Sequence, residues 1–181
     1  ATLYYLSRMI DAGEDPKFIA RRMVIFASED IGLAGNGALA LAVAAFEAVE
    51  RVGMPESNYM IYHTATALAR SQKSREIPDL MHSAKDLAKR YPDAQVPLHL
   101  RNAPTTLMKK MGYGHAYRYA HDEPGAYAAG ETYLPENMIE PNWYRPVPRG
   151  LEIKISEKLT NLKFLDQQAK IKNSKKDDEP T

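Results

Sequence analysis

Residues 38–46 read "ALALAVAAF", nine positions that are apolar on every face of a helix. A helix of that kind persists in water only when other elements surround it. The run therefore predicts a central helix inside a bundle, with Asn36 capping its start and Gly53 marking its end. The flanking sequence supplies the other helices. Leu3, Leu6 and Ile10 recur at helical spacing before "DAG" at 11–13. Asp15 is an N-cap with Pro16 at the first helical position, where a missing amide costs no hydrogen bond. Ile19, Met23, Phe26 and Ala27 then form one stripe, and Gly32 is a stop. Pro55 opens a further helix through "ESNYMIYHTATALARS". A fifth covers "REIPDLMHSAKDLAKRY", provided that Pro78 falls in its first turn or kinks it. Strand-like alternation is missing, so the fold class is all-α, a helical bundle.

The character changes at Pro92. Prolines at 92, 97, 104, 124, 135, 141, 146 and 148, with most of the tyrosines, leave only "PTTLMKKMG" as a short helix, Leu107, Met108 and Met111 on one side. Irregular chain of this length stays ordered when aromatic side chains pin it, so 92–150 is expected to wrap over the bundle. Helical periodicity returns with Leu151, Ile155, Leu159, Leu162 and Leu165. The 181 residues suit one domain. Its expected parts are a bundle (1–91), an irregular wrap (92–150) and a closing helix (151–165). The polar residues 166–181 are expected to be a disordered tail.

Several functions are disfavoured by what the chain lacks. A net charge of +1 gives no general attraction to nucleic acid. The absence of cysteine removes thiol nucleophiles, disulfides and cysteine zinc sites, and suits a reducing cytoplasm. The start "ATLYYLSRMI" has neither an initiator Met nor a signal pattern, so the chain is expected to be a piece of something longer. No Gly-Lys-Ser/Thr phosphate loop occurs; Gly112-Tyr113-Gly114 is a G-x-G with Tyr117 where a third glycine would stand, and is read as a turn. The histidines are His63, His82, His99, His115 and His121, with no tight ligand pair among them. His121-Asp122 resembles the paired ligands of all-helical (HD-type) metal phosphohydrolases, which would need His82 or His99 and a distant acid such as Asp166. That pair adjoins the turn "EPG", however, where ligands are poorly held. No catalytic, cofactor-binding or metal residue is assigned, and the chain itself is not expected to be an enzyme.

The stretch 101–122 stands apart. Arg101, Lys109, Lys110 and Arg118 face one carboxylate, Asp122, giving about +3. Such cations gain affinity for phosphates by releasing counterions, and exposed tyrosines stack on single-stranded bases. Arg101, Lys109, Lys110, Tyr113, Tyr117 and Arg118 are thus candidates for nucleic-acid or partner contact. The same tyrosines also suit buried rings that hold a loop, with lysines as ordinary surface.

Four segments carry a resemblance: "GEDPKFIARRMVIFASEDIGLA" (13–34), "ALAVAAFEAVERVGMPE" (40–56), "VPLHLRNAPTTLMKKMGYGHAYRYAHD" (96–122) and "YRPVPRGLEIKISEKL" (144–159). Together they resemble the C-terminal region of the replication-associated recombination protein A (RarA/MgsA) family, bacterial AAA+ ATPases related to the Werner helicase-interacting protein. The resemblance implies a helical domain like the clamp-loader collar that holds the protein as a homotetramer. It places the ATP- and Mg-binding motor upstream, leaving no cofactor in this piece. It further implies a nucleoid-associated cytoplasmic protein that acts on DNA at stalled forks, in company with single-strand-binding protein. The run "RSQKSRE" departs from the family pattern.

Overall fold

The computed structural model of the protein describes residues 1–136, 138–139 and 141–177. Among these there are seven α-helices and no strand. They are α1 (Thr2–Asp11), α2 (Pro16–Phe26), α3 (Gly37–Val52), α4 (Asn58–Arg70), α5 (Glu76–Arg90), α6 (Thr106–Lys110) and α7 (Glu152–Asp177). The chain divides into two compact units. Unit 1 comprises Ala1–Lys85 and Trp143–Ser156; unit 2 comprises Asp86–Asn142 and the chain from Glu157.

Unit 1 is built on α2, α3 and α4. The Asp15 side chain accepts a hydrogen bond from Lys17 N at 2.9 Å, with Pro16 as the first residue of α2. Beyond Phe26 the helix widens into a π-helical turn, Ala27–Ile31, and Gly32 breaks it. Lys17 at the start of α2 pairs with Glu50 at the end of α3, while Ala27 clusters with Ala38 and Ala42. The two helices are therefore antiparallel. Leu6 of α1 and Ile61 of α4 join Ile19 and Val49 in a second cluster. Each large aliphatic side chain so buried contributes about 1.5–3 kcal/mol.

The expected central position of α3 is corrected. Only Ala38, Ala42, Ala45 and Val49 are buried, at i, i+4, i+7 and i+11. Leu39 and Val43 remain 44% and 41% exposed. Helices pack on α3 from one side only, and that side presents its alanines. Pro55 does not open α4 either: it lies in the turn after Gly53, and the helix begins at Asn58. Pro78 occupies the first turn of α5.

The "RSQKSRE" run performs a local task. Lys73 Nζ donates to the carbonyls of Leu68 and Ser71 at 2.9 and 2.6 Å and lies over the Phe26 ring. Ser74 N donates to Asp30 O at 2.8 Å, fastening this connection to the π-helical turn.

Residues 143–156 return to unit 1 through a polar clasp. Arg145 N donates to Glu76 Oε2 and Val147 N to Glu152 Oε2, at 3.0 and 2.7 Å. Glu152 is wholly buried at the start of α7, where the helix dipole favours its charge. Burial, then the charges of Glu152 and Glu76, pushes the Tyr144 hydroxyl up to about 12. Leu151 N reaches Ala34 O at 3.0 Å, so the backbones touch.

The closing helix is longer than 151–165. It runs to Asp177, so residues 166–177 of the expected tail are helical, and 178–181 lie outside the described residues. The segment "DQQAKIK" consists largely of strong helix formers, and Asp166 anchors it. The covered positions are Ile155, Leu159, Leu162, Asp166 and Ala169, whereas Leu151 and Leu165 are exposed. Within unit 2, Asp166 accepts from Tyr127 Oη at 2.8 Å and Gly130 N at 2.9 Å, tying the irregular chain to α7.

Gly150 tests the clasp. A Cβ there would lie 2.1 Å from Ala34 O, at a φ of +55°. Gly150→Ala is expected to cost at least about 2 kcal/mol, measured as a lower urea midpoint. Gly125→Ala, at a φ of +66° with open space around it, should cost less.

Candidate functional site

The aromatic-basic stretch folds as a short helix followed by turns. Thr105 caps α6, its hydroxyl accepting from Met108 N at 3.2 Å. Gly112 and Gly114 both have positive φ, 84° and 69°, as a turn requires. Gly114 N donates to Leu98 O at 2.9 Å, closing the loop on the segment before α6.

Two of the candidate cations are consumed by this architecture. The Arg101 guanidinium donates to Val96 O at 2.7 Å, Gln95 Oε1 at 3.0 Å and Tyr113 Oη at 3.2 Å, and lies 5.2 Å from the Tyr113 ring centroid. Arg118 donates to Glu123 Oε1 and Ala129 O, both at 2.9 Å. The hydrogen bond from Arg118 holds the Glu123 carboxyl below its ordinary range and raises Arg118 in turn. Arg101, Tyr113 and Arg118 thus brace the loop. Lys109, Lys110 and Tyr117 are exposed, together with Tyr119 and His121, whose rings meet tilted at 47° with centroids 5.0 Å apart. Leu107 and Met111, expected to pack, are 68% and 55% exposed. Only Met108 of that trio is partly covered. A helix of five residues turns too little surface inward to bury all three.

Of the side chains considered for a metal site, His82, His99 and Asp166 have other partners. His121 and Asp122 are exposed in a single 3₁₀ turn. His82 Nδ1 meets Pro78 O, and His99 Nε2 meets Thr132 O at 3.0 Å and Glu131 Oε1 at 3.4 Å. Both Asp166 oxygens accept hydrogen bonds. Among the described residues no group of three or more His, Asp or Glu side chains is placed to hold a metal ion. Nor is any described helix long and apolar enough to cross a membrane.

Composition alone did not reveal the exposed apolar surface of unit 1. Tyr4 and Tyr5 of α1 stack edge to face with ring centroids 5.2 Å apart, and both are about 60% exposed. Phe18 and Ile25 lie i, i+7 on the outside of α2, and Leu39 and Val43 lie i, i+4 on α3. A signal was available: α2 and α3 each carry apolar residues beyond one buried stripe. Between α1, α2 and α4 runs a groove of about 400 Å³ lined by Tyr5, Met9, Met23, Phe26 and Leu68.

The described residues form an all-helical chain with uncovered apolar faces on unit 1. The family model described as the MgsA AAA+ ATPase C terminal matches residues 1–163. The chain belongs to that family. It is 47% identical over 169 residues to replication-associated recombination protein A of Haemophilus influenzae, covering 93% of this chain and 38% of that protein. The Escherichia coli K12 protein of the same name is 48% identical over 172 residues, covering 95% of this chain and 38% of its own length. ATPase WRNIP1 of Dictyostelium discoideum is 45% identical over 136 residues, 75% of this chain and 16% of that one. The chain thus spans well under half the length of these relatives.

The Arg118–Glu123 brace has a pH signature. Because the folded carboxyl lies below its ordinary range, its contribution is complete above about pH 5 and is lost as the pH falls through the lowered value. The Arg118 Nε–H resonance is expected to stay protected from exchange at neutral pH and to lose protection in acid. Glu123→Gln should weaken that protection at neutral pH as well.

Proposed function

We propose that this chain is the assembly domain of a longer AAA+ ATPase acting in replication-associated recombination. The observation that carries the reading is the display of Tyr4, Tyr5, Phe18, Ile25, Leu39 and Val43 on helices whose own core closes without them. Exposed apolar area of this kind marks an interaction surface. Stable self-association needs roughly 800 Å² per partner. An AAA+ nucleotide site draws an arginine from its neighbour, and tethering motors raises their mutual concentration. The domain would therefore promote competent ATPase sites while binding neither ATP nor Mg itself. A homotetramer is the assembly proposed. DNA at stalled forks and single-strand-binding protein are the partners proposed for the parent, in the bacterial cytoplasm and nucleoid. Sedimentation of the 181-residue chain is expected to give a multiple of the single-chain mass; a monomer throughout a concentration series would refute the proposal.

A second reading has its own support. Lys109, Lys110 and Tyr117 are exposed within one short stretch, beside Tyr119. That edge offers cations and ring faces to single-stranded DNA. Lys109→Glu/Lys110→Glu is expected to leave the sedimenting mass unchanged. If the edge binds DNA, the same variant weakens oligonucleotide binding and flattens its salt dependence. Equal binding by variant and parent would dismiss this reading.

A further inference from the structure

The clasp of unit 1 buries more negative charge than its own groups offset. Glu152 is wholly buried, and its Oε2 accepts from the Val147 amide at 2.7 Å. Its Oε1 is also buried but accepts no hydrogen bond among the described residues, and the buried Tyr144 hydroxyl is likewise without a partner there. Tyr144 feels the charges of both Glu152 and Glu76, and Glu152 comes near its hydroxyl, yet the two do not meet in bonding geometry. Glu76 Oε2 takes the Arg145 amide at 3.0 Å, so amides two residues apart draw two carboxylates to one strap. Neither carboxylate is ion-paired among the described residues. Asp166, further along α7, has both oxygens bonded. A buried charge is ordinarily paired or coordinated. The start of α7 supplies about half an elementary charge, less than Glu152 alone carries.

We propose that Glu152 Oε1 and Tyr144 Oη hold a monovalent alkali cation, sodium or potassium, inside the clasp. The donors decide the class of ion. Carboxylate and phenol oxygens are hard ligands, suited to alkali and alkaline-earth ions and not to soft metals. Magnesium demands near-octahedral coordination and keeps several waters, and calcium takes about six to eight oxygens. Two buried side-chain oxygens fall well short of either. One positive charge matches the single charge of Glu152, with Glu76 adding to the negative field around it. Both oxygens are open to the ion, so no hydrogen bond of the clasp has to break. Glu152 then holds the strap twice, at Val147 through its Oε2 and at Tyr144 through the ion, while its backbone begins α7. The site lies wholly within unit 1 and does not depend on the assembly reading.

Urea unfolding of the full chain tests this at constant ionic strength and constant chloride, with sodium, potassium or tetramethylammonium as the cation. Tetramethylammonium is too bulky to enter a buried site. The midpoint is expected to be higher in at least one alkali chloride than in the tetramethylammonium salt, and the gain should saturate with alkali concentration. Trp143, the only tryptophan, adjoins Tyr144; its emission in the folded protein should shift along the same saturation curve. Glu152→Gln keeps the shape and removes the charge, so its midpoint should be equal in all three salts. Tyr144→Phe removes one oxygen and should move half-saturation to higher alkali concentration. Equal wild-type midpoints in the three salts would overturn the site, leaving Tyr144 to donate directly to Glu152. A preference that persists in Glu152→Gln would overturn it too, as a general effect of salt. Where Glu152→Gln fails to fold, an unchanged half-saturation in Tyr144→Phe serves as the refutation.

Discussion

Close packing of α3 through alanine is the constraint on which the rest of unit 1 depends. Ala38, Ala42 and Ala45 bring this helix against its neighbours with little side-chain volume between them. Ala20 on α2, Ala27 in the π-helical turn that follows it and Ala65 on α4 extend the pattern. Interiors tolerate few voids, so a larger residue at any of these positions would force the helices apart. Small side chains also bury little apolar area each. The core gains closeness, and of the large aliphatic residues of α3 Val49 is buried while Leu39 and Val43 are left to the outside. A helix that is apolar all round therefore has two faces: its alanines and Val49 organise its own fold, and Leu39 and Val43 face away from it.

Polar atoms do comparable work where the chain is irregular. Segment 143–151 contains no long run of ladder bonds to hold it, and it is fixed by a few amides that reach buried or half-buried carboxylates. Glu152 is costly to bury and is offset by the Val147 amide and the start of α7. Asp166 repeats the device in unit 2 with a tyrosine hydroxyl and a glycine amide. In both places one acid on α7 organises a loop that lacks a secondary-structure partner. Backbone groups that cannot pair with one another must find side chains.

Much of the helical framework was legible in the sequence because it depends on local chemistry. Asp15 before Pro16, Gly53 after Val52 and the spacing of Ile19 and Met23 are read from neighbours along the chain. The exposed half of α3 was not legible. Whether an apolar face is covered depends on how many helices pack around it, and nine apolar residues in a row do not contain that number. The length of α7 was missed for the opposite reason. Its polar end resembles a solvated tail in composition, yet helix-forming residues and one anchored aspartate suffice to keep 166–177 helical. Loop tyrosines fell between these cases: Tyr113 and Tyr127 are half-buried and hydrogen-bonded, while Tyr117 and Tyr119 are exposed.

The basic loop shows why local charge is a poor guide to binding by itself. Counting residues gives four cations in a short stretch, but two of them satisfy carbonyls, an amide oxygen and a carboxylate of the loop itself. A guanidinium with several donors committed cannot also present its fork to a phosphate without dismantling the turn it holds. What remains for an external partner is two lysines and a few rings on a short helix and turn. Lysine ammonium groups neutralise phosphates as point charges and carry no planar specificity. An edge of that composition can add affinity for a backbone already held nearby, but it cannot select a sequence. The apolar faces of unit 1 differ in this respect, since Leu39 and Val43 have no internal task to abandon when a partner arrives.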